Sequence, residues 1–109
     1  MSKYHSKKTT VDGITFDSIR EANRWQELRI LERAGEIKNL RRQVKFTILE
    51  GYEIAGRKVS PVQYIADFYY TDTKTGKRVI EDAKGYRTDV YKLKKKMFEK
   101  RYGIEITEI

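Results

Sequence analysis

Cysteine is absent from this 109-residue chain. Disulfide frameworks, thiolate zinc sites and cysteine nucleophiles are therefore excluded, and nothing points to an oxidising compartment. Long apolar runs are missing too: no stretch approaches the ~18 residues that cross a bilayer, and the polar start Met1-Ser2-Lys3-Tyr4-His5 has no apolar core of a signal peptide. The expected location is the cytoplasm. His5 is the one histidine, and its place near the N-terminus gives it no expected role as a general base. Internal repeats, low-complexity tracts and linkers are also lacking, so the length predicts a single domain.

What is present is charge and aromatic mass. Hydrophobic residues make up 39% of the chain and include eight Tyr, four Phe and one Trp, while 37% is charged. This composition folds, but around a thin core. Twenty-four Lys and Arg against sixteen Asp and Glu leave a formal charge of +8. Such an excess raises the affinity and association rate for a polyanion, so nucleic acid is the expected partner. An anionic membrane surface would require a basic amphipathic helix with a wide apolar face, which the chain offers only weakly near its C-terminus.

Periodicity then orders the elements. Thr10 to Phe16 contains two short β-prone pieces around Asp12-Gly13 and predicts a small hairpin. Ile19, Ala22, Trp25, Leu28 and Leu31 form one helical stripe from Ser18 to Ala34, stopped by Gly35. A connection through Leu40, Arg41 and Arg42 leads to a strand over Val44–Leu49 and a loop from Gly51 to Pro61. Val62–Tyr70 is apolar on both faces and predicts a central strand, interrupted by Asp67; Arg78–Lys84 predicts its neighbour. Thr88 caps a second helix with Val90, Leu93 and Met97 as its buried side, and Ile104–Ile109 alternates as a last strand. The expected fold class is α+β, in the order helix, three strands, helix, strand.

Central strands rarely carry isolated carboxylates, because burying one costs several kcal/mol unless a donor or cation compensates. Asp67 stands between Ala66 and Phe68, and Asp82 and Lys84 are two apart, on one face of their strand. Glu81 points to the other face. Each part also has an ordinary structural reading. Asp82 with Lys84 fits a surface ion pair, Asp67 a strand end, and Glu21 the third residue of a capping box begun by Ser18. Glu21 nevertheless sits at the edge of the stripe that faces the sheet. Lys92, Lys94, Lys95, Lys96, Lys100 and Arg101 around the second helix suit either a solvated face or phosphate contact, with Lys3, Lys7, Lys8, Arg41 and Arg42 as further phosphate candidates. Tyr64, Tyr69 and Tyr70 are expected to pack or line a strand edge rather than stack on bases.

The runs Tyr64-Ile65-Ala66-Asp67-Phe68 and Val79-Ile80-Glu81-Asp82-Ala83-Lys84-Gly85 resemble the PD-(D/E)XK nuclease superfamily, whose restriction-endonuclease-like core has the element order given above. Phe16-Asp17-Ser18, Glu21-Ala22, Ala34-Gly35-Glu36-Ile37, Leu40 and Gln43 are similar to a family of small phage-encoded, endonuclease-like proteins, over nearly the whole chain. Ala66 stands where the superfamily pattern has proline. The resemblance implies a site of Glu21, Asp67, Asp82 and Lys84. In it Asp67, Asp82 and the Ala83 carbonyl would hold Mg²⁺ or Mn²⁺, and Glu21 would act through a water or a second ion. Lys84 would orient the attacking water and meet phosphate charge.

The implied activity is metal-dependent hydrolysis of DNA phosphodiesters, on branched or recombination-intermediate DNA by analogy with resolvases. A homodimer is the expected assembly, since two symmetric sites cut both strands. The competing expectations are a noncatalytic DNA-binding module and a protein-binding adaptor on the same fold. Of the two neighbouring acids, Asp82 rather than Glu81 is the expected metal ligand, because it shares a face with Lys84.

Overall fold

Ser18 begins the first helix by accepting a hydrogen bond on its hydroxyl from the Glu21 amide at 3.1 Å, satisfying a donor that the helix itself cannot. The computed structural model describes residues 8–83 and 87–109. The expected contacts of Lys3, Lys7 and Lys84 lie outside these. Ahead of the helix, β1 (Thr9–Val11) and β2 (Ile14–Phe16) form the small hairpin expected around Asp12-Gly13. The helix, α1 (Ile19–Arg33), is followed by β3 (Ile37–Leu49), and after an excursion by β6 (Val62–Asp72), β7 (Arg78–Asp82), α2 (Asp89–Tyr102) and β8 (Ile106–Glu108). The excursion is a hairpin of β4 (Tyr52–Ile54) and β5 (Arg57–Val59).

The class is α+β, and the main sheet runs β3-β6-β7-β8. Its first three strands are antiparallel, and β8 returns parallel to β7 after α2. Two cores divide along β6. Phe68 and Tyr70 join Trp25, Leu28 and Phe16 beneath α1, with the Trp25 and Phe68 rings stacked at 6.1 Å. Tyr64 and Ala66 join Ile80, Ile106, Tyr91 and Phe98 beneath α2. Asp67 lies between Ala66 of the second core and Phe68 of the first, and Tyr69 beyond it still packs on the second. No helix among the described residues is long and apolar enough to cross a membrane.

Four expectations are corrected. The stretch through Leu40, Arg41 and Arg42 is strand rather than connection: β3 starts at Ile37, and a register shift between Lys38 and Arg41, at Asn39 (φ 58°), breaks the alternation there. The loop from Gly51 to Pro61 is a hairpin, turned by Ala55 and Gly56 at φ 51° and 75°. The buried side of α2 is Tyr91 and Phe98, whereas Val90 and Leu93 are 63% and 59% exposed and Met97 is half-buried. Aromatic rings win that face because they cover more sheet and because their hydroxyls find partners: Tyr102 donates to the Thr47 carbonyl at 2.8 Å. Ile19, likewise expected in the α1 stripe, is exposed just after the cap.

Candidate active site

The ladder pairs Phe68 with Glu81, so one step along the antiparallel strands brings Asp67 opposite Asp82. Both are buried, Asp67 at 6% exposure and Asp82 at 0%. Asp67 Oδ2 accepts from the Ala83 amide at 2.7 Å, which fastens the end of β7 to the middle of β6. Asp67 Oδ1 accepts from the Gln43 side-chain amide at 3.3 Å. Gln43 lies across from Asp67 on β3 and has left-handed backbone, φ 53°.

Asp82 Oδ2 accepts from the Tyr64 hydroxyl at 2.8 Å. Burial, then the charge of Asp82, holds the Tyr64 phenol well above its usual range, and Asp67 adds to the effect. The hydroxyl therefore remains a neutral donor, and the negative charge of both aspartates is felt at one point. This places the two carboxylates on the same side of the sheet.

Glu81 faces the other way. Arg24 on α1 grips it with two hydrogen bonds, Nε to Oε1 at 2.8 Å and Nη2 to Oε2 at 2.7 Å, and the Tyr70 hydroxyl donates to the same carboxylate. The Glu81 hydrogen bond keeps the Arg24 guanidinium charged, and burial followed by Glu81 raises the Tyr70 phenol. Adjacent acids in β7 thus have different surroundings: Glu81 meets Arg24 and Tyr70 beneath α1, and Asp82 meets Tyr64 across from Asp67.

Glu21 is buried at the start of α1, with Arg42 Nη2 at 3.7 Å from its carboxylate. Arg42 also lies over the Phe16 ring at 4.7 Å, so this candidate phosphate contact turns inward. Among the described residues no three of Asp, Glu, His and Cys gather closely enough to hold a metal ion. Glu21 therefore does not join the aspartates in a three-acid cluster. Of the other basic candidates, Lys8, Arg41, Lys92 and Lys96 are exposed, Arg41 against the Tyr69 ring at 4.8 Å, and Lys95 is partly buried against Glu108 at 3.3 Å. The residues that sequence reasoning missed are Gln43, Tyr64 and Glu108. Only Gln43 has a place in the ladder that marks it, across from Asp67 between Arg42–Phe68 and Val44–Ala66; Tyr64 reaches Asp82 by its hydroxyl alone.

Fold and site together define a small α+β domain with two buried aspartates facing each other on adjacent strands, beneath a basic helix. The chain belongs to the family described as "Protein of unknown function (DUF1064)", whose model it matches over residues 1–107. No curated protein and no solved structure matches it.

Proposed function

We propose that this protein is a Mg²⁺- or Mn²⁺-dependent DNA endonuclease of the PD-(D/E)XK kind, acting on branched or recombination-intermediate DNA in the manner of phage enzymes. The observation that carries the reading is the buried Asp67 and Asp82 pair. Two carboxylates side by side repel each other, and no ion pair to Asp67 is present among the described residues. Burying two adjacent carboxylates is unfavourable unless donors or a cation compensate, and a divalent ion at this position would do so.

The donor set suits a hard cation. Mg²⁺ is typically held by one or two carboxylates and keeps several waters, so the absence of a third acid is compatible with it. Asp67, Asp82 and the Ala83 carbonyl are the proposed ligands, with Glu21 more distant through a water. When bound, the ion would supply Lewis acidity to water and to the phosphoryl oxygens. The protein's own part is positioning: Tyr64 and Gln43 fix the carboxylate rotamers, and the Ala83 amide fixes Asp67. Lys84 is assigned to orienting the attacking water and to phosphate charge. Lys8, Arg41, Lys92, Lys95 and Lys96 are proposed DNA contacts, and a homodimer is the proposed assembly.

The test is a cleavage panel of linear, nicked, flap and four-way-junction DNA with Mg²⁺, Mn²⁺ or chelator. Cutting should require metal, and Asp67→Asn or Asp82→Asn should each reduce it by on the order of 10²-fold or more, with DNA binding retained. Cleavage by purified Asp67→Asn protein at the parent rate would end the proposal. Metal-independent binding with no cutting of any substrate would favour the noncatalytic DNA-binding module instead.

A further inference from the structure

Three donors converge on a single oxygen of Glu108: Arg87 Nε at 2.9 Å, Lys95 Nζ at 3.3 Å and the Tyr91 hydroxyl at 2.8 Å. Tyr91 and Lys95 are four apart on α2 and so share a face, and the Arg87 guanidinium lies over the Tyr91 ring at 5.5 Å. Arg87 also donates to the backbone carbonyl of Asp82 at 3.4 Å. Glu108 is itself paired with Asp82 in the parallel ladder of β7 and β8. A guanidinium, an ammonium and a phenol aimed at one point offer more donors than one carboxylate oxygen can use.

We propose that Arg87, Tyr91 and Lys95 form a binding site for a nucleic-acid backbone phosphate beside the aspartate pair, and that the Glu108 carboxylate occupies this site in the free protein. The proposal rests on the nucleic-acid reading above and adds where the chain would hold the backbone. Exchange is physically easy here. Glu108 lies on the edge strand of the sheet with 32% of its side chain exposed, and ion pairs of that exposure are weak. The buried Arg24 and Glu81 pair is the contrast: with 1% of Glu81 exposed, no incoming anion can replace it. A phosphate presents more acceptor oxygens than a carboxylate and takes a guanidinium bidentately, so it is the stronger occupant. The formal charge of +8 favours a polyanion as its source.

The experiment measures binding of a labelled duplex oligonucleotide in chelator over a range of salt. Glu108→Gln should bind tighter by on the order of 3- to 10-fold. Its log–log salt dependence should steepen by about one unit for each additional phosphate that the protein neutralises. Arg87→Ala combined with Lys95→Ala should weaken binding and abolish the tightening from Glu108→Gln when the changes are joined. Glu105→Gln, which removes an exposed carboxylate outside the cluster, should give much less. Parent-like binding by Glu108→Gln overturns the proposal, as does a tightening that survives in the Arg87 and Lys95 background. If the parent protein binds and cuts DNA in those cases, only this inference falls; if the parent shows no salt-dependent binding, the nucleic-acid reading falls with it.

Discussion

Arg24 and Glu81 are joined unequally, because the glutamate side chain is 1% exposed and the arginine 26%. Removing the cation strands a charge that water cannot reach, whereas removing the carboxylate charge leaves a guanidinium able to turn outward. Arg24→Ala is therefore expected to lower stability by about 3–5 kcal/mol, and Glu81→Gln by less, in urea denaturation. The opposite ranking would mean that Arg24, not Glu81, is the dependent partner. The same asymmetry separates two neighbours in sequence: if the proposed endonuclease activity is found, Glu81→Gln should leave it intact, while Asp82→Asn should remove it. In the sequence only the face shared with Lys84 favours Asp82 over Glu81. Arg24 on α1 and the Tyr70 hydroxyl distinguish them in space.

At the scale of elements, the β4–β5 hairpin projects with nearly all of its residues exposed, and Ala55 holds left-handed backbone at φ 51°. An L-residue with a Cβ pays roughly 1 kcal/mol there, while asparagine tolerates it and favours this turn. Ala55→Asn should thus slow hydrogen exchange at the hairpin amides by roughly 2- to 5-fold, with little change in global melting, since few buried contacts tie the hairpin to the rest. A matching shift in the global transition would mean that the hairpin opens only with the whole molecule. The helices were legible because their ends carry chemistry: the hydroxyl of Ser18, the hydroxyl of Thr88 and the left-handed Gly103 at φ 69°. The start of β3 was not, because Asn39 shifts its register and two arginines mask the pattern. The inward side of α2 misled for a different reason. Val90 and Leu93 are more apolar than Tyr91, yet hydroxyl partners and ring area decide which residues are buried. Asp67 and Asp82 stood out as charges inside apolar strands, whereas Tyr64 passed for packing and Gln43 lay on a strand too distant in sequence to associate with them.

The whole molecule carries +8, and protonating carboxylates in acid adds to its self-repulsion. Glu108 is a carboxylate held below its ordinary value of about 4.5, by the Tyr91 hydrogen bond first and by Arg87 and Lys95 after it. A folded value below the unfolded one means that the unfolded chain binds the extra proton first. The stabilisation is then complete above about 4.5 and is lost as pH falls through the lower folded value. Urea denaturation at fixed ionic strength should find Glu108→Gln less stable than the parent near neutrality, with the difference shrinking towards zero in acid. A difference that stays constant with pH would mean that the Glu108 charge contributes nothing to folding. Near neutrality this one substitution is expected to act with opposite signs, weakening the fold while tightening the grip on a DNA duplex. A glutamate that served only to hold β8 against α2 would weaken both.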